Sequence, residues 1–165
     1  MEKNDLPESA PEEGKIRIKL ISPLFPVTEL EANSVLLPGA VADILILPDR
    51  APLFISLRAG RMVAYLDGKE PVVFLISAGV AEVRRNICPV LAWGGRMDKI
   101  DPHFIAKHLE KAQEAMTHLR YSLEKSEMQS RIDFFKFVLD EMKYDPAEHA
   151  HRTDTKDRLD ASMFT

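Results

Sequence analysis

Ile87-Cys88-Pro89-Val90-Leu91-Ala92-Trp93-Gly94-Gly95-Arg96-Met97-Asp98-Lys99-Ile100-Asp101-Pro102-His103-Phe104-Ile105 is the stretch in which the chain changes its period. Residues 87–92 read as a short apolar strand. Gly94-Gly95 interrupts it, and Asp101-Pro102 then opens a helix, with Asp101 as cap and Pro102 at the first helical position, where a missing N–H costs nothing. Downstream, Ile105, Leu109, Ala112, Met116, Leu119 and Leu123 are spaced by four, three, four, three and four, so all six share one helical stripe. A second set, Ile132, Phe135, Leu139 and Met142, repeats at three, four and three. The nine residues from Leu123 to Ile132 are about two and a half turns, so the stripes need not share a face. This favours a helical hairpin, with helices from Pro102 to about Ser126 and from Gln129 to about Lys143. No Gly or Pro marks the break, which leaves one bent helix as the alternative.

Upstream of Gly94 the punctuation is dense. Six of the seven glycines lie between Gly39 and Gly95 and none follows; seven of the eleven prolines lie between Pro23 and Pro89. Ile16-Arg17-Ile18-Lys19-Leu20 alternates apolar and charged side chains, the mark of a strand with one wet face. Further strands are expected near Val27–Glu31, Ser34–Leu37, Asp43–Leu47, Leu53–Leu57, Arg61–Leu66, Val72–Ile76, Gly79–Arg84 and Ile87–Ala92. Asp67-Gly68 is a hairpin signal, since both residues tolerate the positive φ of a type I′ turn. The fold class is therefore β followed by α: an N-terminal antiparallel β-sandwich or barrel over 15–95, then a C-terminal helical hairpin over 96–144. Residues 1–14, with five acids and two bases through Lys15, and 145–165, with five acids and three bases, read as polar flexible tails.

At 165 residues the chain holds one ordinary domain, or a small one with an appendage. A net charge of −4 argues against a dedicated nucleic-acid binder. No run approaches the roughly 18 apolar residues of a membrane-spanning helix. The acidic start fits neither a secretory signal nor a transit peptide, so a cytoplasmic product is expected. Cys88 is the single cysteine and reads as a small buried apolar side chain.

Chemistry is hard to place. The acids of the β half are Glu29, Glu31, Asp43, Asp49, Asp67, Glu70 and Glu82, and spacing pairs none of them as general acid and base. His103, His108 and His118 follow the first helix without a metal-binding arrangement, and His149-Ala150-His151 lies in the tail. No Gly-x-Ser-x-Gly elbow or phosphate-cradling Gly-rich loop occurs. Neither catalysis, a metal nor a cofactor is expected.

Asp43-Ile44-Leu45-Ile46-Leu47-Pro48-Asp49-Arg50-Ala51-Pro52-Leu53 resembles the pattern Gly-acid-Leu-Gly-Ile-Leu-Pro-x-His-Ala-Pro-Leu of the ε subunit of F-type ATP synthases, δ in mitochondria. In the same order, Ile16–Ser22 looks like that family's opening strand and Arg58-Ala59-Gly60-Arg61-Met62 like its Lys-Pro-Gly-x-Met/Ile turn. Ile76-Ser77-Ala78-Gly79-Val80-Ala81-Glu82-Val83 looks like its Ser-Gly-Gly-x-x-Glu-Val segment, and Val90-Leu91-Ala92 like its Val-Leu-Ala. The resemblance spans roughly residues 16–143.

What the resemblance implies is a non-catalytic rotor subunit of a proton-translocating synthase, peripheral on the cytoplasmic face of the bacterial plasma membrane, with membrane association only through the complex. It implies a c-ring contact at Asp43, in a loop shaped by Pro38 and Gly39, and a γ contact at Pro48, Arg50, Ala51 and Pro52. It also implies an arm that opposes ATP hydrolysis; on this arm Lys107, Lys111, Arg120, Arg131 and Lys136 would meet acidic surfaces of the α and β subunits. The chain departs from the family at Ala42, Leu45 and Ala78, where glycines are usual, and at Arg50, where His is usual; an altered turn is expected there. Some relatives bind ATP through Ile/Leu-Asp-x-x-Arg-Ala; here Ile100-Asp101-Pro102-His103-Phe104-Ile105 has Phe104 for the arginine, so tight ATP binding is not expected. Two other classes compete: a free-standing adaptor using its amphipathic hairpin, and a small β-fold hydrolase using two of the acids above.

Overall fold

The structure is a computed structural model describing residues 9–143. Residues 1–8 and 144–165, which take in part of the expected N-terminal tail, the last residue of the expected hairpin and the whole expected C-terminal tail with His149 and His151, lie outside the described residues. The chain forms two compact units that divide between Ile100 and Asp101.

The first unit contains strands β1 (Ile16–Ile21), β2 (Thr28–Ala32), β3 (Ser34–Pro38), β4 (Asp43–Ile46), β5 (Leu53–Leu57), β6 (Gly60–Tyr65), β7 (Val72–Val83) and β8 (Ile87–Arg96), closed by one 3₁₀ turn at Met97–Lys99. They make a sandwich in which β4-β3-β6-β7 forms one layer and β2-β1-β8-β7-β5 the other. β1 and β8 run parallel; the other pairs are antiparallel. Two separate strands were expected at Val72–Ile76 and Gly79–Arg84. They are one strand, whose first half pairs with β6 and second half with β5. The register shifts between Ile76 and Gly79, where β7 bends from one layer into the other. Ser77 steadies the bend: its Oγ accepts from the Trp93 N–H at 3.0 Å and donates to the Ala78 carbonyl at 2.8 Å. The opposing strand needs a bare backbone at Gly94 (φ 147°), where a Cβ would run into the Leu75 carbonyl.

The core follows from alternation. Ile16, Ile18 and Leu20 of β1 are buried, and Arg17 and Lys19 between them are not. They pack with Val35, Leu37, Ile46, Ile55, Leu57, Met62, Phe74, Ala81, Val83 and Val90. Burying a side chain of this size contributes about 1.5–3 kcal/mol, which makes this cluster the main stabilising element of the unit. Cys88 belongs to the same cluster, and burial pushes its thiol up to about 12, so it is a core side chain, as its surroundings in sequence suggested.

The turns differ from expectation. Asp67-Gly68 is not a type I′ turn, because only Gly68 takes positive φ (66°). Asp67 is instead held by Asn33, whose Oδ1 accepts from the Asp67 N–H at 2.8 Å and whose Nδ2 donates to Asp67 Oδ2 at 2.7 Å. The two-residue loop with two positive φ angles is Arg85-Asn86 (52° and 60°), which joins β7 to β8 with paired Arg84 and Ile87 backbone bonds of 3.0 Å. Asn tolerates this region through its short polar side chain; arginine carries no such signal, which is why the sequence pointed elsewhere.

The second unit is a pair of packed helices, α1 (Pro102–His118) and α2 (Ser122–Glu141). Asp101 caps α1 as expected, accepting from the His103 N–H at 2.9 Å. The break comes earlier than the polar run at 124–130 suggested: Leu119 and Tyr121 take extended backbone (ψ 135° and 141°), and Leu123, expected on the first stripe, sits in α2 with 72% of its surface exposed. Ile105 and Ala112 of the first stripe are buried. On α2 the buried arc is wider than the stripe, taking in Phe134 and Val138 beside Ile132 and Phe135.

Candidate interaction surfaces

The segment joining β3 to β4 is fixed to its neighbours on both sides. The Ala40 N–H donates to the Ser56 carbonyl at 2.8 Å, and the Arg58 N–H donates to the Pro38 carbonyl at 2.9 Å. Pro38 and Gly39 are buried, and a Cβ on Gly39 would meet the Ala42 carbonyl; they shape the loop and present no surface. The exposed atoms belong to Ala40, Val41, Ala42 and Asp43, with Val41 fully exposed at the tip. Asp43 is not a lone acid. Arg58 Nη2 donates to its Oδ1 at 2.6 Å, and both side chains are half exposed. Any partner of this loop meets a preformed ion pair beside an apolar tip.

The Pro48–Pro52 segment begins at the opposite end of β4 and leads into β5. Arg50, Ala51 and Pro52 are exposed, and Pro48 is partly buried. Asp49 takes positive φ (61°) and is locked to the Arg85-Asn86 turn: its N–H donates to Asn86 Oδ1 at 2.6 Å, and Asn86 Nδ2 donates back to Asp49 Oδ1 at 3.0 Å. Sequence reading missed the Asn86 partner, because the two residues are 37 positions apart.

An apolar row runs across the outer side of the second layer. Ser56, Val80, Leu91 and Ile21 are register neighbours on β5, β7, β8 and β1, with Leu91 half exposed; Phe54, one alternation away, is 68% exposed. Leu45 and Leu47 point outward from β4 and the residue after it. Each of these sits at the solvent-side position of an alternating strand, where a polar residue is usual.

Among the described residues, the carboxylates at the β1–β2 edge are engaged by cations. A groove is lined by Ser9, Arg17, Glu29, Leu30 and Glu31. Each of its carboxylates is taken by a cation of β1: Glu31 by Arg17 at 2.7 Å and Glu29 by Lys19 at 3.1 Å. The Arg17 hydrogen bond lowers the pKa of Glu31, the reverse of what a general acid needs. The same arginine donates to the Ser9 carbonyl, so residues 9–14 lie along β1 and β2.

Residues 15–94 match the β-sandwich domain of the ATP synthase delta/epsilon chain. The sandwich belongs to the ATP synthase delta/epsilon family. An ATP synthase epsilon chain of Rickettsia bellii is 39% identical over 70 residues, 41% of this chain and 65% of the relative, so the match spans less than two thirds of that protein. The epsilon chain of Stenotrophomonas maltophilia is 29% identical over 118 residues, covering 71% of this chain and 84% of its own length. Among solved structures, a chain of the Euglena gracilis mitochondrial ATP synthase (OSCP/F1/c-ring) superposes with a TM-score of 0.53 at 16% identity, covering 87% of this chain and 89% of the other. That likeness supports the fold.

Within the delta/epsilon frame the missing glycines cause no strain. Ala42, Leu45 and Ala78 keep ordinary negative φ, and Ala78 lies in the β7 bend. On the helices, Lys107, Lys111, Arg120, Arg131 and Lys136 are all exposed. Where some relatives carry the ATP motif, the Asp101 carboxylate is occupied as helix cap, and Phe104 stacks on His108 with ring centres 4.1 Å apart.

Proposed function

We propose that this chain is the non-catalytic epsilon-type subunit of the central stalk of a proton-translocating F-type ATP synthase. The observation that carries this reading is the sandwich at 15–94, with the delta/epsilon family's motifs in order, followed by two packed helices. In this reading the Ala40–Asp43 loop, with its Asp43–Arg58 pair, faces the c-ring, and Pro48, Arg50, Ala51 and Pro52 meet the γ subunit. The exposed apolar positions at Leu45, Leu47, Phe54 and Leu91 fit a protein that works inside an assembly, since apolar patches of this kind mark interaction sites. The chemistry of ATP belongs to α and β. The chain reaches the cytoplasmic face of the membrane through its partners, and its own role is mechanical attachment. Opposition to ATP hydrolysis by the helical arm, through Lys107, Lys111, Arg120, Arg131 and Lys136 against acidic surfaces of α and β, is part of the same proposal. Its support is the length of the arm and the exposure of those five cations.

The test is purification of the chain, with an affinity tag at its C-terminus, from detergent-solubilised membranes of its native host. Recovery of γ, α, β and c-ring in fixed proportion is the expected result. A chain that comes through such a preparation alone, while the synthase elutes intact without it, overturns the reading.

A further inference from the structure

We infer that the corner built by the Asp49–Asn86 lock is a cationic docking site for an acidic protein segment, and this rests on the central-stalk reading, in which that segment belongs to γ. The resemblance assigns Arg50 to this region; Arg84 and Arg85 are brought beside it only by the fold. Two reciprocal hydrogen bonds, of 2.6 and 3.0 Å, hold Asp49 against Asn86, so Arg50 and Arg85 are each one residue from this contact. Arg84 adds a third guanidinium at the pair of backbone bonds that closes the hairpin. All three arginines are exposed, and among the described residues none is paired with a carboxylate. This contrasts with four other cations of the sandwich: Arg17, Lys19, Arg58 and Arg96 are each bound to an acid of the same chain. Two acids share the corner, Asp49, whose Oδ1 is engaged by Asn86, and Glu82, two residues before Arg84. The balance is three positive charges to two negative, in a chain whose net charge is −4.

The corner is also rigid. The Arg17 N–H donates to the Asn86 carbonyl at 2.9 Å, so the turn is pinned to β1 as well as to the Pro48–Pro52 segment. Guanidiniums carried on a fixed backbone lose less freedom on binding, and their forked donors match carboxylates. An acidic protein segment fits better than a lipid surface, because polybasic membrane attachment uses clusters of 4–8 Lys and Arg, and this corner has three.

The experiment measures association of the purified chain with purified γ of the same host, immobilised on a sensor, across a series of salt concentrations. The variant is Arg84→Glu with Arg85→Asn; Asn is chosen because it tolerates the positive φ at 85. Its melting temperature is checked against the unaltered chain, and Arg84→Lys with Arg85→Lys serves as the charge-retaining control. Expected is an association rate that falls steeply with salt for the unaltered chain, about tenfold slower at low salt for the charge-altered variant, and near normal for the lysine control. If the unaltered chain binds γ and the charge-altered variant associates at the same rate with the same salt dependence, the docking site is overturned while the subunit reading stands. Failure of the unaltered chain to bind γ at any salt overturns both. Capture by vesicles rich in anionic lipid, lost in the charge-altered variant and unmatched by γ, overturns the protein occupant.

Discussion

Asn86 shows how much one side chain can organise. Its backbone sits in the left-handed region, its amide closes two bonds with Asp49, and its carbonyl receives the Arg17 N–H. Replacing it by glycine removes the side-chain bonds but suits the backbone, for a cost of about 0.5–1.5 kcal/mol. Replacing it by alanine removes the same bonds and adds about 1–2 kcal/mol for a Cβ in that conformation. Urea denaturation should therefore rank native above Asn86→Gly above Asn86→Ala; equal stability of the two variants would show that the left-handed backbone is not held. None of this was legible in the sequence, where Asp67-Gly68 carried the stronger turn signal. Dipeptide rules weigh local φ preference, and here a contact with residue 49 selects the conformation. Cys88, by contrast, was legible, because a single cysteine without Cys or His neighbours reads as a small buried apolar side chain, and it is buried.

Elements were legible as far as their periodicity is local. β1 and β5 match the strands expected from alternation almost residue for residue, and the start of α1 follows from Asp101-Pro102. β7 was split in the reading because Ser77-Ala78-Gly79 resembles a breaker, whereas the structure uses it as a bend bridged by Ser77. The α1–α2 break was misplaced because Leu119, Arg120 and Tyr121 carry no turn chemistry. The β1–β2 edge yields a pH prediction. Arg17 lowers the pKa of Glu31 from its ordinary 4.5 by its hydrogen bond. A carboxylate whose pKa is depressed on folding contributes stability that is complete above the unfolded pKa and is lost as pH falls through the folded one. The melting temperature should thus be higher for the unaltered chain than for Glu31→Gln at pH 7, and the two should converge as the pH falls well below the ordinary 4.5. A gap that persists at lower pH would mean that the contact does not depend on the carboxylate's charge.

For the whole molecule, the order of a punctuated β half and a glycine-free helical half was legible from composition alone, because each architecture needs its own turn chemistry. The outward apolar row was not: Val80, Leu91 and Ile21 come from three strands and align only through pairing register. The proposed arm is tested at this scale. Removing residues 102–165 should raise ATP hydrolysis by the isolated complex several-fold while γ, α and β still copurify with the sandwich. Unchanged hydrolysis would assign the helices a structural part only.

β5 gives the two proposed contacts a common mechanical element. It leaves the arginine-bearing corner at Pro52, pairs with β7 from Val83 to Gly79, and ends at Leu57, bridged to Gly39 beside the Asp43–Arg58 pair. Five residues of extended chain span about 17 Å, and a backbone already near full extension can lengthen very little under load. A tug at one end therefore reaches the other as tension along a strut, with almost none of its work stored as elastic stretch.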